Sequence, residues 1–177
     1  MMTVRHKKAG FTLIELMIVF MVIGIVVGIA TPALQQYSVD ANLKSAIRNL
    51  KSDMELSKLR AIRENARVVM DFDTGNNSYE AFVDNGEGGG IAGNNIQDGT
   101  EPLVKTVHIP LHVTMYEASF AGGVPRFRFD GRGLPNGFGG HVYMKNTKNN
   151  YRSVVLSMVG RIQIGTSTDG GDWIDVD

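Results

Sequence analysis

Twenty consecutive residues near the N-terminus, Phe11 to Ala30, form an apolar run that carries a single charge, Glu15. As one helix such a run spans roughly 30 Å, the thickness of a bilayer's hydrocarbon core. A carboxylate within it is costly unless something partners it. The ten residues ahead of the run hold Arg5, Lys7 and Lys8 and no acid. That asymmetry sets the N-terminus in the cytoplasm and the bulk of the chain outside it.

The junction itself reads Gly10-Phe11-Thr12-Leu13-Ile14-Glu15. This motif resembles the class III signal of type IV pilins and type II secretion pseudopilins. The resemblance implies cleavage between Gly10 and Phe11 by a prepilin peptidase and N-methylation of Phe11. It also implies pairing of Glu15 with the terminal amine of a neighbouring subunit. On this reading the partners are other pilin or pseudopilin subunits, the peptidase and the inner membrane, with the head in the periplasm. The rival is an ordinary secretory signal, because Gly28-Ile29-Ala30 has the small-x-small shape of a cleavage site and would release a protein starting at Thr31. Against it, the run exceeds the usual 7–15 residues of such a signal, and Glu15 is misplaced for one.

The helix is expected to continue beyond the membrane. Leu43, Ile47, Leu50 and Met54 recur at helical spacing, while Lys44, Arg48, Lys51, Asp53, Lys58 and Arg60 fall on the other faces. No glycine or proline occurs from Ala33 to Val69, so one helix is predicted from Phe11 to about Asn65. Gly24, Gly28 and Pro32 interrupt it. The family resemblance implies that the segment from Gly24 to Pro32 unwinds on assembly, with Pro32 as the kinking residue.

After Asn65 the pattern becomes short strand-like runs separated by Gly- and Asn-rich turns. Eight strands are expected, over 67–73, 78–84, 103–109, 113–118, 126–130, 141–145, 152–158 and 161–164. Residues 85–100, with six glycines, read as a mobile loop. The fold class is therefore α+β: a long N-terminal helix, transmembrane in its lower half, packed on a C-terminal antiparallel sheet. The expected division is a leader over 1–10, the long helix over 11–65 (11–30 transmembrane) and a β-rich head over 66–177.

Chemistry is sparse. Eighteen basic and eighteen acidic side chains cancel, and there is no cysteine, so no disulfide framework exists. Many members of the resembled family close a C-terminal loop with a disulfide, which argues against a major adhesive pilin here. No nucleophile elbow, zinc-protease motif or phosphate loop occurs, and no catalytic, cofactor-binding or metal-binding residue is assigned. Asp71-Phe72-Asp73-Thr74-Gly75 resembles the opening of a calcium loop, but its fifth and twelfth positions are Gly75 and Phe82, so it reads as a hairpin turn. His108 and His112 are separated by Pro110, which prevents one helix from presenting both to a metal.

Further on, Phe129-Asp130-Gly131-Arg132-Gly133, Val154-Val155-Leu156-Ser157 and Gly160-Arg161-Ile162-Gln163 resemble the GspH/FimT group of minor pilins and pseudopilins. Some members of that group bind DNA near a Gly-Arg turn, which makes Arg161 the candidate contact. Gln163 stands where a second base would help, and the neutral charge and acidic C-terminal end argue against nucleic acid. The function expected is a non-enzymatic minor pilin or pseudopilin subunit placed at or near a filament tip. The alternatives are a DNA-uptake minor pilin, a major structural pilin, and a secreted periplasmic binding protein.

Overall fold

A computed structural model describes residues 11–137 and 139–175, with the side chains of 30–36 outside the described part. One helix, α1, covers Leu13–Glu64. Nine strands follow: β1 Val68–Asp73, β2 Ser78–Val83, β3 Leu103–His108, β4 Val113–Ser119, β5 Arg126–Phe129, β6 Gly140–Asn146, β7 Tyr151–Leu156, β8 Ile162–Ser167 and β9 Ile174–Asp175. The first eight match the strands expected from sequence to within a few residues. The two-residue β9 has too short a pattern to be seen beforehand.

The chain divides into two compact units, one ending at Ser38 and the other starting at Val39. In the second unit α1 supplies the stripe foreseen from its spacing, with Leu43, Ile47, Leu50 and Met54 all at or below 1% exposure. The helix stops because Asn65 takes a left-handed φ of 47°. Ala66 N then donates to Ala61 O at 3.1 Å and Asn65 N to Ile62 O at 3.3 Å, which satisfies two of the last carbonyls in a Schellman arrangement. Gly131 sits against this end, where a Cβ would overlap the Asn65 side chain.

The strands form two antiparallel sheets rather than one, in the orders β3-β2-β1-β5 and β4-β6-β7-β8-β9. Where the sequence reading expected a single sheet, the connection from β3 to β4 departs. Pro110 has no N–H to continue a ladder, and His112 adopts φ 67°, which turns the chain out of the first sheet. Asn77, itself at φ 53°, ties the β1–β2 turn to β4. Its side-chain amide donates to Val113 O and its carbonyl accepts from Met115 N, each at 2.8 Å. Helix and both sheets share one core, in which Phe72, Phe120, Phe127 and Phe129 pack ring on ring at 4.6–6.2 Å.

Two polar features were missed. Asp53, assigned to an outer helix face, is buried: its carboxylate accepts from Tyr79 Oη at 2.7 Å and from Lys105 Nζ at 2.7 and 2.8 Å. Burial first, and then the Asp53 hydrogen bond, push the Tyr79 hydroxyl well above its usual range. At the start of the second unit, Asp40 accepts from Asn146 and Asn150 at 2.8 Å and from Lys148 at 3.0 Å. That fixes the β6–β7 turn to α1.

The segment 85–100, expected to be mobile, is instead closely hydrogen-bonded. The buried Asp84 carboxylate accepts from the backbone N–H of Gly93 and of Asn95, and Glu101 accepts from Gly86 N at 2.8 Å. Arg128 donates to Gly93 O and to the Asn95 side chain, and Arg126 to Asn95 O. Val69 and Phe82 are a register pair that alternates away from the core residues Val68, Met70, Ala81 and Val83, yet both are fully buried. The register partner of Val69 on β5 is Arg128, so the loop that Arg128 holds lies on the same face of the sheet as Val69 and Phe82. Asp84→Ala is expected to lose about 1–3 kcal/mol, the cost of orphaned buried donors. The check is hydrogen exchange at the Gly93 and Asn95 amides, which should lose protection while the amides of β6 and β7 keep theirs.

On the outer side of the five-stranded sheet, Tyr143 stacks between His141 at 4.1 Å and Trp173 at 4.5 Å. Trp173 also lies over Gly165, where a side chain would meet Ser153 Oγ and the indole.

Candidate assembly site

The residues singled out at the N-terminus fall in the first unit. Gly10 lies outside the described residues. Phe11 is 89% exposed and precedes the helix, and apolar side chains from Leu13 to Ile29 are exposed all round it. A helix apolar on every face is suited to lipid or to other helices, not to water. Over the described residues, which leave out the side chains from Ala30 to Gln36, no helix is long and apolar enough to cross a membrane. Pro32 lies within the span of α1, and its side chain is among those outside the described part.

Glu15 occupies the third helical position. Its carboxylate accepts from Thr12 N and from Thr12 Oγ1, both at 2.9 Å, and its own N–H donates to Thr12 Oγ1 at 3.3 Å. This is a reciprocal capping box, which satisfies two orphan donors at the start of α1. Its signature, Thr-x-x-Glu before an apolar run, was present in the sequence and went unread, because Glu15 was considered only for its charge. The acid that the resemblance assigns to a partner's cation is thus already engaged in closing its own helix. One Glu15 oxygen, Oε2, takes both Thr12 bonds, and the other is without a hydrogen bond among the described residues.

Arg161 is far from this site in the chain, in the β7–β8 turn. Its backbone N–H donates to Ser157 Oγ at 3.0 Å and its carbonyl accepts from Ser157 N at 2.8 Å. Its side chain is exposed, with no ion pair among the described residues. The Asp71–Gly75 stretch is the end of β1 and the start of the β1–β2 hairpin turn, where Asp73 accepts from Asn76 N at 2.9 Å. His108 ends β3 and His112 follows in the next connection.

Comparison with known proteins places these features in a family. A prokaryotic N-terminal methylation motif matches residues 5–31, and type II transport protein GspH matches residues 46–160. The chain belongs to the GspH family. With the methylation motif ahead of it, it is a subunit of the minor pilin or pseudopilin kind, and the three alternatives raised from the sequence are not favoured. Among solved structures, the minor pseudopilin EpsH of the Vibrio cholerae type 2 secretion system superposes at a TM-score of 0.53, with 9% identity over 73% of this chain and 98% of that one. The likeness shows the fold alone. The type IV minor pilin FimU of Pseudomonas aeruginosa aligns at 0.48 with 15% identity, covering 68% of this chain and 90% of that one. Pilin-like protein PilA1 of Thermus thermophilus is 36% identical over 78 residues, which is 44% of this chain and about half (49%) of that protein.

Proposed function

We propose that this GspH-family subunit is made as a prepilin, cut between Gly10 and Phe11 and methylated on Phe11. On this reading it is held in the inner membrane by Phe11–Ala30, with its head in the periplasm. It then enters a type II secretion pseudopilus or type IV pilus at or near the tip. Its partners are other pilin subunits, packed through α1, and the prepilin peptidase. Residues 1–10 act as leader, 11–65 as the assembly helix and 66–177 as the head, and the role is structural rather than enzymatic.

The observation that carries this reading is the methylation motif over residues 5–31, which contains Gly10, Phe11 and Glu15 together. The all-round apolar surface from Leu13 to Ile29 supports it, since that surface needs lipid or neighbouring helices. Pro32 is assigned to helix unwinding during assembly. The test is mass spectrometry of the mature protein from cells that hold the peptidase. The expected terminus is Phe11 carrying one added methyl group. A terminus at Thr31 would identify an ordinary secretory signal, and a terminus at Met1 would remove processing from the account.

A further inference from the structure

Lys44 and Arg48 are four residues apart on α1 and so share a face. Across from them, Arg152 on β7 is the register partner of Thr166 on β8, which sets both side chains on one side of the sheet. Lys44, Arg152, Thr166 and Thr168 line a cavity of about 260 Å³, with Leu43 and Tyr151 as apolar walls. None of Lys44, Arg48 and Arg152 has an ion pair or a hydrogen-bond acceptor among the described residues. Asp40 and Asn150 line the same cavity, and the Asp40 carboxylate is occupied by Lys148, Asn146 and Asn150.

We propose that this cleft is an oxyanion site, which in the assembled filament takes the carboxylate of an acidic side chain from a neighbouring subunit. Arg152 offers a planar fork matched to a two-oxygen group, with Lys44 and Arg48 adding charge at the rim and the Thr166 and Thr168 hydroxyls adding donors. Partial burial first, and then the charge of Arg48, make the protonated Arg152 guanidinium less favourable than in water, and the charge of Asp40 offsets only part of this. A bound anion would relieve both penalties. A polyanion is a poor occupant, because Asp169 and Asp172 follow Thr168 on the β8–β9 turn and Asp40 lines the cavity itself. A single carboxylate or phosphate group fits. The neighbouring subunit as its source rests on the assembly reading above, whereas the anion site itself does not.

The test uses the full chain in detergent micelles, titrated separately with inorganic phosphate and with N-acetylglutamate α-amide. The readouts are the Arg152 Nε–H and the Thr166 and Thr168 amide resonances. Saturable shifts are expected with both probes. Arg152→Gln should weaken binding by roughly tenfold or more, Arg152→Lys and Arg48→Gln by less, and Arg161→Gln not at all. The absence of saturation with either probe, or equal binding by wild type and Arg152→Gln, overturns the site. For the source, a photo-crosslinker at position 168 in assembling cells should capture another subunit, and Arg152→Gln should suppress that product. Probe binding without such a product overturns the neighbour as source and leaves the site to a free oxyanion.

Discussion

Glu15→Ala is expected to lower incorporation into filaments by roughly tenfold or more while leaving membrane insertion and cleavage after Gly10 intact, since a charge pair in low dielectric is strongly directional. On the proposed pairing the substitution removes two things at once, however: the partner for a neighbour's amine and the acceptor that caps the first turn. Thr12→Ala separates them. It deletes the hydroxyl half of the capping box, at a cost of about 1 kcal/mol of local helix stability, and keeps the carboxylate. Sheared filament and membrane fractions, immunoblotted side by side, give the comparison. If pairing governs assembly, Thr12→Ala assembles nearly as well as wild type and Glu15→Ala accumulates in the membrane. Equal defects in the two variants would assign the role of Glu15 to its own helix, and assembly by Glu15→Ala at the wild-type level would remove the pairing mechanism.

The largest effect on stability is expected at Asp53. Asp53→Ala should cost about 3 kcal/mol, because it leaves the buried Tyr79 hydroxyl without an acceptor and strips Lys105 of its partner. The three groups are unequal. The Lys105 side chain is 45% exposed and the Asp53 side chain 9%, so the ammonium can turn to water while the phenol cannot. Tyr79→Phe removes both the orphan and its need, and should cost about 1 kcal/mol. Urea unfolding of the three proteins measures the order. A cost at Asp53→Ala no greater than at Tyr79→Phe would mean that Lys105 and Asp53 contribute nothing jointly, as exposed ion pairs often do.

Why Asp53 escaped notice in the sequence bears on what such reading can reach. The stripe Leu43, Ile47, Leu50 and Met54 is periodic, so its burial was legible, as was the end of the helix near Asn65. The strands were legible from short apolar runs between Gly and Asn turns. Asp53 adjoins the stripe, and nothing local distinguishes a buried acid from a solvated one. Its partners lie 26 and 52 residues away, on β2 and β3, and only the tertiary fold brings them together. The same holds for the loop after Asp84: six glycines suggest mobility, and the carboxylates and arginines that pin it belong to other elements. The division into two sheets was likewise invisible, since it depends on Pro110 and His112 turning a connection whose length would suit a hairpin. At the N-terminal site the methylation motif and the apolar run were legible in the order of residues, and so was the capping box once Glu15 is read for more than its charge. The proposed anion cleft was the reverse: nothing in the sequence joins Lys44 and Arg152, and only the fold sets them on one cavity.

The chain contains one tryptophan. Because Trp173 stacks on Tyr143 and lies over Gly165, its fluorescence belongs to a single place, the closing hairpin at the edge of the five-stranded sheet. Indole emission therefore follows the seating of the last strand, while circular dichroism is dominated by the long helix. Recorded together on one sample, the two signals distinguish fraying of the C-terminal edge from loss of the whole domain without any label being added.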